Sequence, residues 1–469
     1  MGILLDGLYA LGLVGTSPVW LYRMVRHGRY REDLGQRFGA VPVRYGLQPT
    51  IWVHAVSLGE VNAARTLVRE LHGQLPDFRV VISTTTDTGM AAARRLYSPD
   101  HMVFRFPLDF TFAVRRAISR IRPAIVVLME GEIWPNFLAA CNRRDVPVVV
   151  VNGRMSADRG YPGYKRLGPV AGRLFNRLTA IGVQDESYAE RFRSLGTRPE
   201  KLHVTGMMKF DTAEIADRLD GQDELAAAMG VSEEDRLIVA GGTGPGEEAM
   251  LLDVYGQLRQ KHGAARLAIV PRKPERFEEA AKLTSARGFK VVRRSECSDD
   301  DARLASKAGH PASAGPRAAT ASLPLRGERD AVLLGDTMGE LRKFYALAAC
   351  IFVGRSLVPM GGSDMIEAAA LGKPACFGPH TFNFPQADAL AEHGCERVAD
   401  PAGLERQLDA WLSDPSAARE AGRRAQQYVR SQQGASRRNV EMICRVLGRV
   451  PAASSGGIAT DQVPKTGSI

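Results

Sequence analysis

Cysteine is scarce in this sequence and never arranged in a motif. The six cysteines of the 469-residue chain (141, 297, 350, 376, 395 and 444) form no C-x-x-C pair and no metal-like spacing, which excludes a disulfide-stapled scaffold and a zinc module. Cys141, Cys350, Cys376 and Cys444 sit in apolar surroundings and read as buried thiols in a reducing compartment. RNP-type and zinc-finger signatures are also missing, so nucleic acid is not the expected partner of a chain with net charge +10 and pI 9.4. A G-x-G-x-x-G fingerprint is absent: in GGTGPGEE the glycines fall at 241, 242, 244 and 246, which argues against a dehydrogenase and leaves a phosphate-cradling turn as the expectation. The acidic run SDDD (298–301) lies in a stretch rich in Ala, Ser, Gly and Pro (298–328) that reads as a surface insertion. It is a solvated charge run rather than a metal site. No metal and no cofactor are expected.

What is present is an ordinary globular composition, 45% hydrophobic and 24% charged, with two features at the N-terminus. Residues 3–21 are apolar apart from Asp6 and Pro18, nearly long enough to cross a hydrocarbon core. Trp20 and Tyr22 suit the headgroup level, and Arg23, Arg26, Arg29 and Arg31 follow. The positive-inside rule then places the rest of the chain in the cytoplasm. A basic leader and a small-residue cleavage site are lacking, so an uncleaved anchor (residues 1–22) is expected, with a tilted or interfacial helix left open by Asp6. The basic excess suits an anionic membrane surface or a phosphorylated substrate.

From residue 51 short β-branched runs alternate with helical periods. IWVHAV (51–56), VVISTT (80–85), AIVVLM (124–129), PVVVVN (147–152) and AIGVQD (180–185) read as strands buried on both faces. The rhythm stops near Phe210 and resumes with RLIVAGG (236–242), RLAIVP (266–271), KVVRRS (290–295), AVLLGD (331–336), CIFVGR (350–355) and PACFGP (374–379). The expected architecture is α/β: two Rossmann-like domains, 23–211 and 231–448, facing a central cleft, followed by a disordered tail, 449–469. Ligands of such sheets bind beyond the carboxyl ends of strands.

Candidate chemistry sits at those ends. HAVSLGE (54–60) passes from strand to helix and puts Glu60 in the first helical turn, where the dipole favours an ionised carboxylate able to take a proton. A plain solvated helix-start glutamate is the alternative. In MEGEIWPN (129–136) Glu130 and Glu132 end a buried strand, or cap the helix that Pro135 opens. Lys209, in GMMKFD (206–211), could offset negative charge. In PRKPERF (271–277), Arg272 and Lys273 suit a phosphate or carboxylate. GDTMGEL (335–341) is another strand-to-helix turn. In VPMGGSDMIEAA, Asp364 and Glu367 could hold a ribose, with Ser363 as N-cap.

At these residues the sequence resembles the 3-deoxy-D-manno-octulosonate (Kdo) transferases of lipid A assembly. The likeness runs from about residue 4 to 448 and also takes in TTTDTG (84–89), PLDF (107–110), VNGRMS (151–156) and GPHTFNF (378–384). It implies a GT-B glycosyltransferase fold at the cytoplasmic face of the inner membrane. It also implies CMP-Kdo as donor and the tetraacyl disaccharide bisphosphate precursor of lipid A (lipid IVA) as acceptor. Glu60 falls on the family's proton acceptor, and Glu130 and Lys209 on positions that stabilise the transition state. Pro271, Arg272, Met338, Gly339, Glu340, Asp364 and Glu367 fall on the stretches that hold CMP. The chain departs from the family where Ser363, Asp364 and Met365 replace His, Asn and Pro, where Lys273 replaces His, and where Arg355 replaces a common Gly. The implied reaction is inverting and metal-independent. Alternatives are a GT-B transferase with another nucleotide sugar, or a non-catalytic protein that binds anionic lipid.

Overall fold

The structure, a computed structural model, describes residues 2–27, 32–158, 160–297 and 330–450. The acidic run, the rest of the 298–328 stretch and the tail beyond Val450 lie outside the described residues, as do Arg29 and Arg31. The chain divides into two compact units, one formed by Met1–Thr212 together with the chain from Gln433 onward, the other by Ala213–Gln432.

The first unit is built on seven strands: β1 Thr50–His54, β2 Arg79–Thr84, β3 Met102–Arg105, β4 Ile125–Met129, β5 Val148–Gly153, β6 Ala180–Val183 and β7 Leu202–Val204. They lie in the order β3-β2-β1-β4-β5-β6-β7, with every neighbouring pair parallel. Parallel strands need crossover helices, which cover both faces of the sheet, and only uninterrupted apolar runs tolerate that burial. β1 and β4 are accordingly buried at every residue. One core holds Ile51, Val53, Val127 and Val149 with the helix Leu58–Gln74. The other holds Trp52, Val126, Leu128 and Val150 with Phe104 and Phe137.

The second unit repeats the plan with β8 Arg236–Thr243, β9 Ala265–Pro271, β10 Val291–Arg293, β11 Val332–Leu334, β12 Cys350–Val353, β13 Ala375–Phe377 and β14 Glu396–Arg397. Their order is β10-β11-β9-β8-β12-β13-β14, again parallel throughout. In each sheet the chain fills one side, returns to the middle and fills the other. The turning points are β1/β4 and β8/β12, where diverging loops leave a crevice at the carboxyl ends.

One helix lies elsewhere than its sequence position suggested. The reading in chain order put the segment up to 448 in the second domain, but the helix Ala435–Val446 packs on the first unit. Its Val440, Ile443 and Cys444 join the core of Ile51 and Val53, Ser436 shares a hydrogen bond of 2.9 Å with Thr66, and Asp211 accepts the Gly434 N–H at 2.6 Å. Its apolar face completes a groove left open by the helix Leu58–Gln74, and no local pattern announces that partner. Gly182 on β6 makes the close approach feasible, since a Cβ there would overlap Asn439 Oδ1 and stand 3.0 Å from Thr205 Oγ1.

Gly182→Ala should therefore cost about 1–3 kcal/mol through overpacking and lower the first thermal transition by about 2–10 °C. The double variant with Asn439→Ala should recover part of the loss, read by calorimetry on the four proteins of the cycle.

Candidate active site

In the first unit the site grows from the end of β1. Ser57 is the N-cap of the helix Leu58–Gln74. Its Oγ accepts the Glu60 N–H at 3.5 Å and donates to Glu60 Oε1 at 3.0 Å, a variant of the capping box closed through the hydroxyl rather than the Ser57 N–H. The Val56 N–H donates to Glu60 Oε2 at 2.9 Å. Thr84 and Thr86 each donate a hydroxyl to Val56 O, at 3.1 and 3.2 Å, which clamps the loop from the side of β2. Gly89 lets this happen: a Cβ there would lie 2.6 Å from Thr84 Oγ1. The TTTDTG motif thus holds the loop that holds Glu60.

Glu60 is only 8% exposed. Burial pushes its carboxyl up to about 7, against the opposing pull of the Val56 N–H and Ser57, and Glu130 and Glu132 push the same way. The position in the first helical turn suggests that the dipole keeps this group ionised. Desolvation outweighs the dipole here, leaving a carboxyl poised near neutrality.

Glu130 follows β4, the neighbour of β1, and the His54–Leu128 register sets the two strand ends side by side. Its φ of 58° and the 108° of Gly131 turn the chain sharply at the strand end. Arg154 pairs with Glu130 at 2.8 Å, and Asn152, itself at φ 54°, accepts the Met208 N–H at 3.0 Å through its Oδ1. Asn152 thereby ties the Glu130 loop to the turn that carries Lys209. Burial raises the Glu130 carboxyl, while Arg154 and Lys209 oppose the rise. The fold therefore brings Glu60, Glu130 and Lys209 into one electrostatic neighbourhood. Neither glutamate of MEGEIWPN caps the helix Pro135–Asn142, contrary to the alternative weighed above. Asp109 does, accepting the N–H groups of Asn136 and Phe137 at 3.0 and 2.8 Å.

In the second unit the candidate donor residues sit at the ends of three strands, β9, β11 and β12, that lie close together in the sheet. Pro271 ends β9 and Arg272 follows, its N–H donating to Thr243 O at 3.2 Å. Beyond β11, Met338 is 68% exposed and Gly339 has φ 91°. Glu340 is braced by Arg294 at 3.1 Å and by the Thr337 hydroxyl. Asp364 Oδ1 accepts the Ile366 N–H at 3.1 Å, and Glu367 lies in the first turn of the helix Ile366–Ala370. Ser363 is not that helix's N-cap, which is Met365. It donates instead to Gly242 O at 2.8 Å, bracing the end of β8. Tyr345 has a buried hydroxyl with no hydrogen-bond partner, and its ionisation is pushed far up by burial and by the charges of Glu367 and Asp364, with Arg272 opposing.

One amide of the GGTGPGEE turn is taken up inside the chain. Glu247, fully buried, accepts the N–H of Gly244 at 2.9 Å, of Ser356 at 2.8 Å and of Leu357 at 3.0 Å, besides that of Arg355. This carboxylate ties the loop after β8 to the loop after β12. Arg355 adopts φ 59°, which accounts for the glycine common there. Sequence reading passed over Ser57, Asn152, Arg154, Asp109, Tyr345 and Glu247 as functional or supporting residues. The first four lie inside the quoted motifs, as does Glu247 in GGTGPGEE, which was the available signal; Tyr345 has no local signature of a special role. Among the described residues no group of three or more His, Cys, Asp or Glu side chains is placed to hold a metal ion.

Residues 32–212 match the family described as 3-Deoxy-D-manno-octulosonic-acid transferase (kdotransferase). The chain is 34% identical to the 3-deoxy-D-manno-octulosonic acid transferase of Bordetella pertussis, covering 94% of this chain and 99% of that protein. It is 31% identical to the Haemophilus influenzae transferase of the same name, over 91% and 94%. Among solved structures, MurG from Acinetobacter baumannii (TM-score 0.51, 15% identity, 85% of this chain and 100% of that one) shares the fold. So does the UDP-GlcNAc 2-epimerase of Neisseria meningitidis (TM-score 0.53, 13% identity, 84% and 100%). The two parallel seven-stranded sheets are those of a GT-B protein. With near full-length relatives above 30% identity, the chain belongs to the Kdo transferase family of lipopolysaccharide biosynthesis.

Proposed function

We propose that the protein transfers Kdo with inversion, and without a metal, from CMP-Kdo to the tetraacyl disaccharide bisphosphate precursor of lipid A, with Glu60 as the base. The observation that carries this reading is the Glu60 carboxyl, capped by Ser57 and Val56 at the end of β1 and raised by burial to about 7. A carboxylate with that affinity can take a proton from a sugar hydroxyl near neutral pH and release it afterwards. In the reaction Glu60 removes the proton of a primary hydroxyl on the lipid's glucosamine, and that oxygen bonds to the anomeric carbon of Kdo. The bond from that carbon to the phosphate oxygen breaks, and its electron pair leaves with CMP. CMP departs as a phosphate monoester that needs charge stabilisation more than protonation. Arg272 and Lys209 are the cations assigned to that charge. Asp364 and Glu367 are assigned to the ribose hydroxyls, and Pro271, Met338, Gly339 and Glu340 to the rest of CMP. Glu130, held by Arg154, is assigned to transition-state stabilisation beside the base.

The acceptor is a membrane lipid, and the one helix among the described residues long and apolar enough to cross a bilayer spans Leu4–Arg26. We place the protein at the cytoplasmic face of the inner membrane, attached through that helix to an anionic lipid surface.

Glu60→Gln should lower kcat by about a hundredfold or more while leaving the protection by CMP against heat unchanged; near-full transfer of labelled Kdo by this variant would remove Glu60 from the role. For the wild type, log kcat/KM should rise with slope one below about pH 7, since the base works only when ionised, and level off above it. Ser57→Ala removes a hydrogen bond that favours the ionised form, so the acidic limb should move to higher pH. Arg272→Ala should weaken protection by CMP; equal protection by UDP or ADP would point to a different donor.

A further inference from the structure

The N-terminal helix Gly2–His27 is bonded to the first unit along one face. Asp6 Oδ1 accepts the Thr111 N–H at 2.9 Å and the Asn136 side-chain amide at 3.0 Å. Tyr9 donates its hydroxyl to Asp109 at 3.1 Å, and its ring meets Phe110 edge-on at 6.1 Å. Gly2 lies so close that a Cβ would stand 3.1 Å from Thr111 Oγ1. Positions 2, 6 and 9 share one helical face. The opposite face carries Leu4, Leu8, Leu11, Val14 and Val25, exposed by 81%, 63%, 73%, 70% and 74%.

The other end of the helix is also held near the unit. His27 is five Cα steps from Glu32, a reach of at most about 18 Å. Glu32 and Asp33 are paired to Arg94 at 3.3 and 2.6 Å. A helix of 26 residues is about 39 Å long, and crossing a core of about 30 Å would carry one of its ends away from the body to the far side of the bilayer. Here the first end is bonded to the body and the last is leashed to it. The same region offers further membrane-seeking groups. Phe112, next to the Asp6 dock, is 57% exposed and stacks on the exposed Phe38 at 6.3 Å. The exposed Arg115 and Arg116 follow one turn later, and Arg26 is exposed on the helix itself. Apolar groups flanked by arginines suit an anionic phospholipid surface.

We propose that this helix is a side-on, monotopic attachment: it lies along the first unit, latched by Asp6, and sinks its Leu4–Leu8–Leu11 face into the headgroup and upper acyl layer of an anionic bilayer without crossing it. The inference deepens the membrane attachment given under the proposed function. Its consequence is geometric. The bilayer plane is set against the body that carries Glu60, instead of being joined to it by a swivelling stalk.

Depth-dependent fluorescence quenching tests this on the full chain. Five of the six native cysteines are buried and Cys297 is partly so, so single cysteines at positions 4, 14 and 25 in a Cys297→Ser background can carry a small fluorophore. Vesicles of phosphatidylglycerol and phosphatidylethanolamine would hold nitroxides either near the headgroup or near the chain end. All three positions should be quenched most by the shallow nitroxide, to a similar extent. Position 14 quenched most by the deep nitroxide, with 4 and 25 shallow, means a span and overturns the proposal; no quenching at any position overturns membrane contact altogether. Asp6→Leu should release the latch and move position 14 toward the deep nitroxide, whereas an unchanged depth would remove Asp6 from that role. The readout needs neither donor nor acceptor, so its outcome is independent of whether Kdo is transferred.

Discussion

The parallel pairing of β1 with β4 is the constraint on which the first unit's chemistry depends. The chain reverses its direction of growth across the sheet at that pair, so the two loops diverge and nothing of the sheet fills the space between them. The register from Ile51–Ile125 to His54–Leu128 ends both strands at the same level. That is why Glu60, six residues past His54, and Glu130, one residue past Met129, share one neighbourhood although 70 positions apart. The buried runs that form these strands supply rigidity, and the capping box and the left-handed turn at Glu130 aim the carboxyl groups.

Two first-turn glutamates show how surroundings decide a role. Glu60 follows β1 and Glu247 follows β8, each at the turning point of its sheet and each at a helix start. Glu60 receives one backbone N–H and one hydroxyl; burial first, with two neighbouring carboxylates, raises its proton affinity to about 7. Glu247 receives four backbone N–H groups from two loops and is fully buried, so it is a brace. Burial raises the Glu247 carboxyl too, against the pull of those four N–H groups; what sets it apart is that its acceptor capacity is spent within the chain.

Much of this was legible in advance. The β-branched runs are strands because apolar residues without alternation fit only strands covered on both faces, and helices between them force parallel pairing. IWVHAV and AIVVLM fall on β1 and β4, and Glu60 stands in a first helical turn as its spacing indicated. What escaped were relations between distant segments. The helix Ala435–Val446 returns to the first unit, Ser363 braces Gly242 rather than capping its helix, and Asp109 caps a helix 26 residues downstream. Each is a contact whose partner lies far along the chain, and local pattern carries no information on that choice. The ionisation of Glu60 was misjudged for the same reason: the dipole is local, but the burial that outweighs it comes from the assembled fold.

Mass spectrometry of the lipid formed when purified protein is given CMP-Kdo and the tetraacyl disaccharide bisphosphate reads the transfer itself. A Kdo-bearing lipid should appear, with one CMP released for each Kdo attached. Unmodified lipid alongside intact CMP-Kdo, while another nucleotide sugar is consumed by the same preparation, would contradict it.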